Sequence, residues 1–353
     1  TITHPSIDFS STSFSPDGNK IVTACNDGTA KIWDIRKDKL IMEFIGHSEE
    51  LSLAKFSADG KKLLTASRDR TVKIWNVASG TLLINLEGHT KLINDASFSS
   101  DGSRVLTASN DHSAKIWNVL SGKVIFNLQR STPVTSARFS PDAKKIVTSD
   151  GDRLTIWETS SATIISEMND HSADIIDVAF SPDGKKILSA SWDSTARIWN
   201  SISGKLIAVL KSHAAGLTSA KFSPNGKNIV TSSIDFTAKI WNESATVIAD
   251  LRGYSNKINF VQISQDGQKI VSALSDKTAK VWDAVSGSLI HTLKGHTGPV
   301  LSAQFSPFSN DSVEAQTILT TANDYNAKLW DAKTGRLLLN FTHAGDWVMS
   351  AAF

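Results

Sequence analysis

Eight tryptophans divide the chain into near-equal lengths, at Trp33, Trp75, Trp117, Trp157, Trp199, Trp241, Trp282 and Trp330. The gaps between them are 42, 42, 40, 42, 42, 41 and 48 residues. Self-similarity at such a period marks an architecture assembled from one repeated supersecondary unit. The contents of the unit recur as well. Phe14-Ser-Pro-Asp-Gly18, Phe56-Ser-Ala-Asp-Gly60 and Phe180-Ser-Pro-Asp-Gly184 each read as a turn after a strand, with Asp and Gly tolerating positive φ. An alternating, strand-forming segment such as Lys62–Ser67 follows. A tight turn containing Asp then leads into Thr71-Val-Lys-Ile-Trp75, and a Ser-Gly turn (Ser79-Gly80, Ser121-Gly122) leads to a fourth strand such as Leu82–Leu86.

Four short strands and three tight turns describe a small antiparallel sheet. No stretch shows helical periodicity. One such sheet cannot bury both its faces, so copies must stack, and a ring closes off the open ends of the array. The length of 353 residues fits a single large all-β ring.

The dipeptides Gly46-His47, Gly88-His89 and Gly295-His296, with Trp33-Asp34, Trp282-Asp283 and Trp330-Asp331, resemble the WD40 repeat. The resemblance runs over essentially the whole chain, although Asn76, Asn118 and Glu158 replace the aspartate after tryptophan. It implies an all-β, closed β-propeller of four-stranded antiparallel blades, with eight blades spanning residues 1–353. The alternative is a seven-bladed ring in which the eighth repeat begins a second propeller. Ile2-Thr3-His4 reads as the tail of an outer strand and Trp347–Phe353 as the first strand of a ninth repeat, so both ends look cut from a longer array.

His, Ser/Thr and Asp recur with each tryptophan: His47, Thr65, Asp69 and Trp75; His171, Ser189, Asp193 and Trp199; His296, Thr320, Asp324 and Trp330. Repeats one, three and six carry equivalent sets on His4, His89 and His213. These are the residue types of a hydrolase triad, but a nucleophilic site is one constellation with an oxyanion hole and a cleft. Six copies read as a structural device. In WD40 proteins the matching residues form a hydrogen-bonded chain, with the indole N–H donating, imidazole bridging and carboxylate accepting. Repeat four departs, with Arg130-Ser131 in place of Gly-His and Asp152 only five residues before Trp157; repeat seven has Tyr254 for His. These two blades are expected to hold together by packing alone. Repeat eight spans 25 residues from Phe305 to Trp330, against 19 from Phe56 to Trp75. The extra residues, around Phe308 to Gln316, read as a tolerated surface insertion or as a partner contact through Phe308.

Other chemistry is sparse. There is no glycine-rich phosphate loop, Cys-x-x-Cys or His-Glu-x-x-His, so no catalytic residue, metal or cofactor is expected. His112 and His291 fall outside the recurring sets and read as exposed. Lys31, Lys73, Lys115, Arg197, Lys239, Lys280 and Lys328 stand two before a repeat tryptophan. They suggest a basic track, or side chains that cover apolar surface while their heads reach water. With 37 Lys and Arg against 35 Asp and Glu, no global pull toward nucleic acid exists. Asn-x-Ser/Thr matches at Asn242, Asn310 and Asn340 have no secretion signal beside them. The single Cys25 makes no internal disulfide, and no run is long enough to insert in a membrane, so a cytoplasmic location is expected.

The family resemblance implies a protein-protein interaction scaffold, taking a protein or peptide partner of a multiprotein assembly on the narrower face. That face carries the turns before the first and third strands. Residues ahead of the turn aspartates point there: Asn26, Arg68, Asn110, Gly151, Trp192, Ile234, Ser275 and Asn323. Arg68, Trp192 and Ile234 stand out as hot-spot types, with Glu50, Asp174 and Ile176 extending the patch. Packing onto the next blade is the alternative for Trp192. Two other classes stay open, the sensor region of a larger signalling ATPase or protease and an active site inside the ring.

Overall fold

A computed structural model of the protein describes residues 9–35, 37, 39–252, 256–307, 316–324 and 326–342. His4, Tyr254, Phe308, Asn310 and the segment Trp347–Phe353 lie outside these residues.

Blade 2 shows how the local sequence builds the unit. Its strands are Leu51–Phe56, Lys62–Ser67, Val72–Asn76 and Leu82–Leu86, paired antiparallel in chain order. The two middle strands are buried almost throughout, because a blade lies against each of their faces. The outer strand is exposed over Leu82 and Leu83 and buried at Leu86. Eight such four-stranded sheets follow one another, each made of four consecutive strands. The inner strands are Phe9–Phe14, Leu51–Phe56, Ile93–Phe98, Val134–Phe139, Ile175–Phe180, Leu217–Phe222, Ile258–Ile263 and Val300–Phe305.

The core is eight separate apolar clusters, each filling the space between two blades. Each repeat tryptophan from Trp75 to Trp330 reaches back into the cluster shared with the preceding blade, as Trp75 does edge-on to Phe44 at 5.6 Å. Burial of one such ring is worth on the order of 3 kcal/mol. The Gly of the Gly-His pair is required by this packing. A Cβ on Gly46 would sit 3.0 Å from the Trp75 ring, and its φ of +157° is itself unusual for a residue with a side chain.

The last cluster joins Leu319, Leu329 and Phe341 of blade 8 to Phe14 and Ile21 of blade 1. Trp33 and Phe341 pack across the same seam at 6.5 Å. The eighth repeat therefore stands between blades 7 and 1, and the seven-bladed alternative is set aside. Among the described residues no helix is long and apolar enough to cross a membrane.

Candidate partner surface and the polar relays behind it

In blades 2, 3, 5, 6 and 8 the recurring polar residues meet in one geometry. The indole N–H donates to the Thr or Ser hydroxyl at 2.7–2.9 Å. That hydroxyl lies 2.6–2.8 Å from His Nε2, and His Nδ1 lies 2.7–2.9 Å from the carboxylate. Carboxylate only accepts, so Nδ1 carries the proton, and Nε2 is left to accept from the hydroxyl. His47, Thr65, Asp69 and Trp75 are one such set, His171, Ser189, Asp193 and Trp199 another, and His296, Thr320, Asp324 and Trp330 a third. The hydroxyls of Thr65, Ser189 and Thr320 are sealed beneath the indoles with no exposure. A nucleophile buried that way meets no substrate.

The carboxylate also holds the two turns together. Asp69 accepts from the Ser48 N–H on one side and from the Thr71 N–H and hydroxyl on the other. Burial works to raise such carboxyls, but the hydrogen bonds received outweigh it, so Asp69, Asp193 and Asp235 lie below the ordinary range. Asp111 and Asp324 are held at about 2. Burial lowers His89, His171, His213 and His296 against the pull of their aspartates.

Blade 4 corrects the expectation of packing alone. The Arg130 side chain is 8% exposed; its Nε–H donates to Asp150 Oδ1 at 3.1 Å, an Nη–H donates to Glu167 at 2.7 Å, and its guanidinium lies 5.7 Å from the Trp157 ring centre. Thr132 adds a hydroxyl to Asp150, and the Trp157 N–H donates to Thr148 at 3.0 Å. Asp152 takes no part. Asp150 and Arg153 pair across a two-residue turn, Gly151-Asp152, with Gly151 at φ +62°, which leaves Asp152 exposed at the tip. The Tyr254 reading in blade 7 lies outside the described residues; there the Trp282 N–H donates to Ser272 at 3.0 Å.

Five of the seven basic residues before the tryptophans bind the outer strand rather than reach for water. Lys31 meets Glu43 at 3.3 Å, Lys239 meets Asp250 at 2.9 Å, and Lys73, Lys115 and Lys328 donate to Asn85, Asn127 and Asn340. Ammoniums used this way form no track for a phosphate backbone. His291 donates to the Lys333 carbonyl on the next blade, so it is not a free surface histidine.

On the face of the first-strand and third-strand turns, the proposed residues fall in two groups. Trp192, 47% exposed, belongs to blade 5, and its ring lies against Gly216 of blade 6, where a Cβ would come within 2.5 Å. The Ile234 N–H donates to the Gly216 carbonyl, and the Trp192 N–H to that of Asp174. Trp192, Ile234 and Asp174 are therefore neighbours across one blade boundary. Ile176 packs partly on the core between these blades. Arg68 and Glu50 stand three blades away on blade 2, paired at 3.0 Å. Sequence reasoning missed Phe236, which is 49% exposed in the blade 6 turn at φ +64°. Its equivalents are Gly28, Arg70, His112, Ser194 and Lys277, all at positive φ, and an aromatic in a slot suited to glycine was the available signal.

Residues 133–353, which are 221 of the 353, match the family model for the IFT122 first beta-propeller. Residues 2–34, 38–76 and 80–118 match the model for the WD domain, G-beta repeat. No curated protein sequence matches. Among solved structures the chain is similar to the crystal structure of the computationally designed Ika8 protein, with 26% identity and a TM-score of 0.80, over 93% of this chain and 97% of that one.

Proposed function

Because the chain belongs to the IFT122 first beta-propeller family, built here from WD repeats, we propose that it is a non-catalytic scaffold of a cytoplasmic multiprotein assembly. A protein or peptide partner docks on the face of the turns before the first and third strands. Its centre is Trp192, Ile234 and Phe236, and Arg68 with Glu50 marks the far edge.

One observation carries this reading. Among the described residues, the exposed large apolar aromatics are Trp192 and Phe236, and they stand on adjacent blades of one face. Exposed aromatics dominate interface energetics, whereas scattered aliphatic exposure is ordinary. Phe236 shares its positive φ with Arg70, His112, Ser194 and Lys277 in the same turn of other blades, so the exposed ring, not the backbone, sets this position apart. The polar relays argue against catalysis, since their hydroxyls are repeated and sealed.

The test is a quantitative pull-down comparing wild type with Trp192→Ala/Phe236→Gly and with an outer-turn control, Leu120→Ala/Ile202→Ala. Selective loss of one partner in the first variant, with the control unchanged, is expected. An identical partner set for all three proteins removes this face from consideration.

A further inference from the structure

The eight inner strands line the central channel, and five charged residues stand on them: Lys55, Asp95, Arg138, Asp177 and Lys221. They occupy consecutive blades, 2 to 6. At the register of Lys55, blades 7, 8 and 1 carry Gln262, Gln304 and Ser13. The charges form a ladder across blade boundaries. Lys55 Nζ lies 3.3 Å from Asp95 Oδ1, Arg138 contacts the other oxygen of Asp95, and Lys221 Nζ lies 2.9 Å from Asp177 Oδ2. Each carboxylate also faces the next blade's hydroxyl and backbone N–H, Ser136 and Ala137 for Asp95, Ser219 and Ala220 for Asp177.

The inventory does not balance. Among the described residues three cations face two carboxylates, and with these cations 24–32% exposed, water screens only part of the excess. Of the three cations, Lys55 is the one that lines a cavity. Its ammonium has three N–H groups, and two acceptors are present, Asp95 and the Ala96 carbonyl at 3.1 Å. That cavity, of about 370 Å³, lies at the end of the channel where the first turns of blades 1, 2, 3 and 8 meet. Phe14, Phe56, Phe98, Pro16 and Pro307 line it together with six serines, among them Ser13 and Ser97. A volume of that order suits a small-molecule site, with aromatic rings in its wall and, among the described lining residues, one charged anchor.

We propose that this cavity binds a small organic monocarboxylate, its carboxylate on Lys55 and its hydrocarbon body against Phe14, Phe56 and Phe98. A single negative charge cancels the single positive excess. A phosphate dianion overshoots it, and the described lining residues include no arginine to receive one.

Proton occupancy at Lys55 gives the site a signature. Burial, then Arg138 and Lys221, draw its ammonium down to about 7, while the carboxylate of Asp95 acts in the other sense and Asp177 is taken up by Lys221. An empty channel relieves its excess by shedding this proton, and a bound carboxylate retains it. Binding is thus linked to proton uptake and weakens as pH rises through neutrality.

Calorimetric titration of the whole chain with 3-phenylpropanoate tests the proposal, with 3-phenylpropanol as the uncharged analogue and inorganic phosphate as competitor. Saturable one-to-one binding is expected, at least about tenfold tighter for the acid than for the alcohol. The same titration weakens between pH about 6.5 and about 8.5, either side of neutrality. Lys55→Gln abolishes the preference for the acid. Absence of saturable binding, equal binding of acid and alcohol, or displacement by equimolar phosphate overturns the assignment. If Lys55→Gln does not fold, the analogue and pH comparisons on the wild type decide alone. The cavity opens on the face opposite Trp192, so this result is independent of the partner surface.

Discussion

Blades 4 and 5 are neighbours that meet the same requirement with different chemistry. Both bury a tryptophan whose N–H needs an acceptor, and both supply a hydroxyl, Thr148 in one and Ser189 in the other. Behind Ser189 stands a neutral imidazole, and its aspartate is drawn below the ordinary range. Behind Trp157 lies a permanent cation, Arg130, and its partner Asp150 is raised, because burial exceeds what Arg130 and Thr132 return. The position before the first strand therefore needs a donor that can satisfy a buried carboxylate; it does not need histidine. The histidine blades are hydrogen-bonded and almost uncharged at the ring, while blade 4 is ionic, and their failure modes should differ.

The largest effect should come from breaking the ionic version. Asp150→Ala leaves Arg130 buried with only the half-exposed Glu167, and loss of one partner of a buried pair costs about 3–5 kcal/mol. Urea denaturation should show a loss of that size. The double variant Arg130→Met/Asp150→Leu removes both charges and should lose much less than Asp150→Ala. A single variant within about 1 kcal/mol of wild type, the range of a surface pair, would mean that Glu167 alone holds the guanidinium.

This contrast also shows what the sequence reveals. The tryptophan period fixes eight sheets, because nothing but a repeated unit produces it, and the His, Ser/Thr and Asp residues align at constant offsets. The offset then misleads at blade 4. Counting back from Trp157 selects Asp152, whereas the shortened turn moves the useful carboxylate into the strand, to Asp150. Arg130 occupies the histidine slot, and its reach to Glu167 on the outer strand follows from side-chain length, which spacing does not encode. The channel ladder was hidden for another reason. Lys55, Asp95 and Arg138 are about 40 residues apart, and only the ring makes them neighbours. Phe236 was passed over because its slot reads as a turn position, and turn positions are ordinarily spent on backbone geometry.

A smaller loss is expected on the histidine side. His171→Ala leaves Asp193 with its turn N–H and hydroxyl donors but strips Ser189 of its acceptor, so about 2 kcal/mol is expected. The same denaturation series gives the ratio to Asp150→Ala. Equal losses at both blades would end the distinction between an ionic and a neutral relay.

The pH dependence separates the two kinds more finely. His89, His171, His213 and His296 titrate below their unfolded value of 6.5, so the folded chain binds fewer protons there. Their contribution is complete above pH 6.5 and is lost as pH falls through the folded values. Asp150 has the opposite sign: its folded value lies above 3.8, so its contribution is largest in acid and declines as pH rises through that value. The urea midpoint should therefore fall between pH about 7.5 and about 5.5, on either side of the histidine value. His171→Gln should flatten the fall and Arg130→Gln should not. A wild-type midpoint that stays level across this range would show that the imidazoles gain a proton without cost.

The smallest effect tests the surface against the relays. Arg68 and Glu50 are paired at 3.0 Å, but Arg68 is 61% exposed, and such a pair contributes about 0–1 kcal/mol. Arg68→Ala should leave the urea midpoint nearly unchanged. The backbone bond from the Arg68 N–H to the Glu50 carbonyl, at 2.8 Å, survives the substitution and keeps the two turns together. A residue whose removal is invisible to stability but visible to a partner is what a docking edge requires. If Arg68→Ala destabilises the chain as much as His171→Ala, the blade 2 turn depends on this ion pair, and Arg68 belongs with the relays rather than with the partner surface.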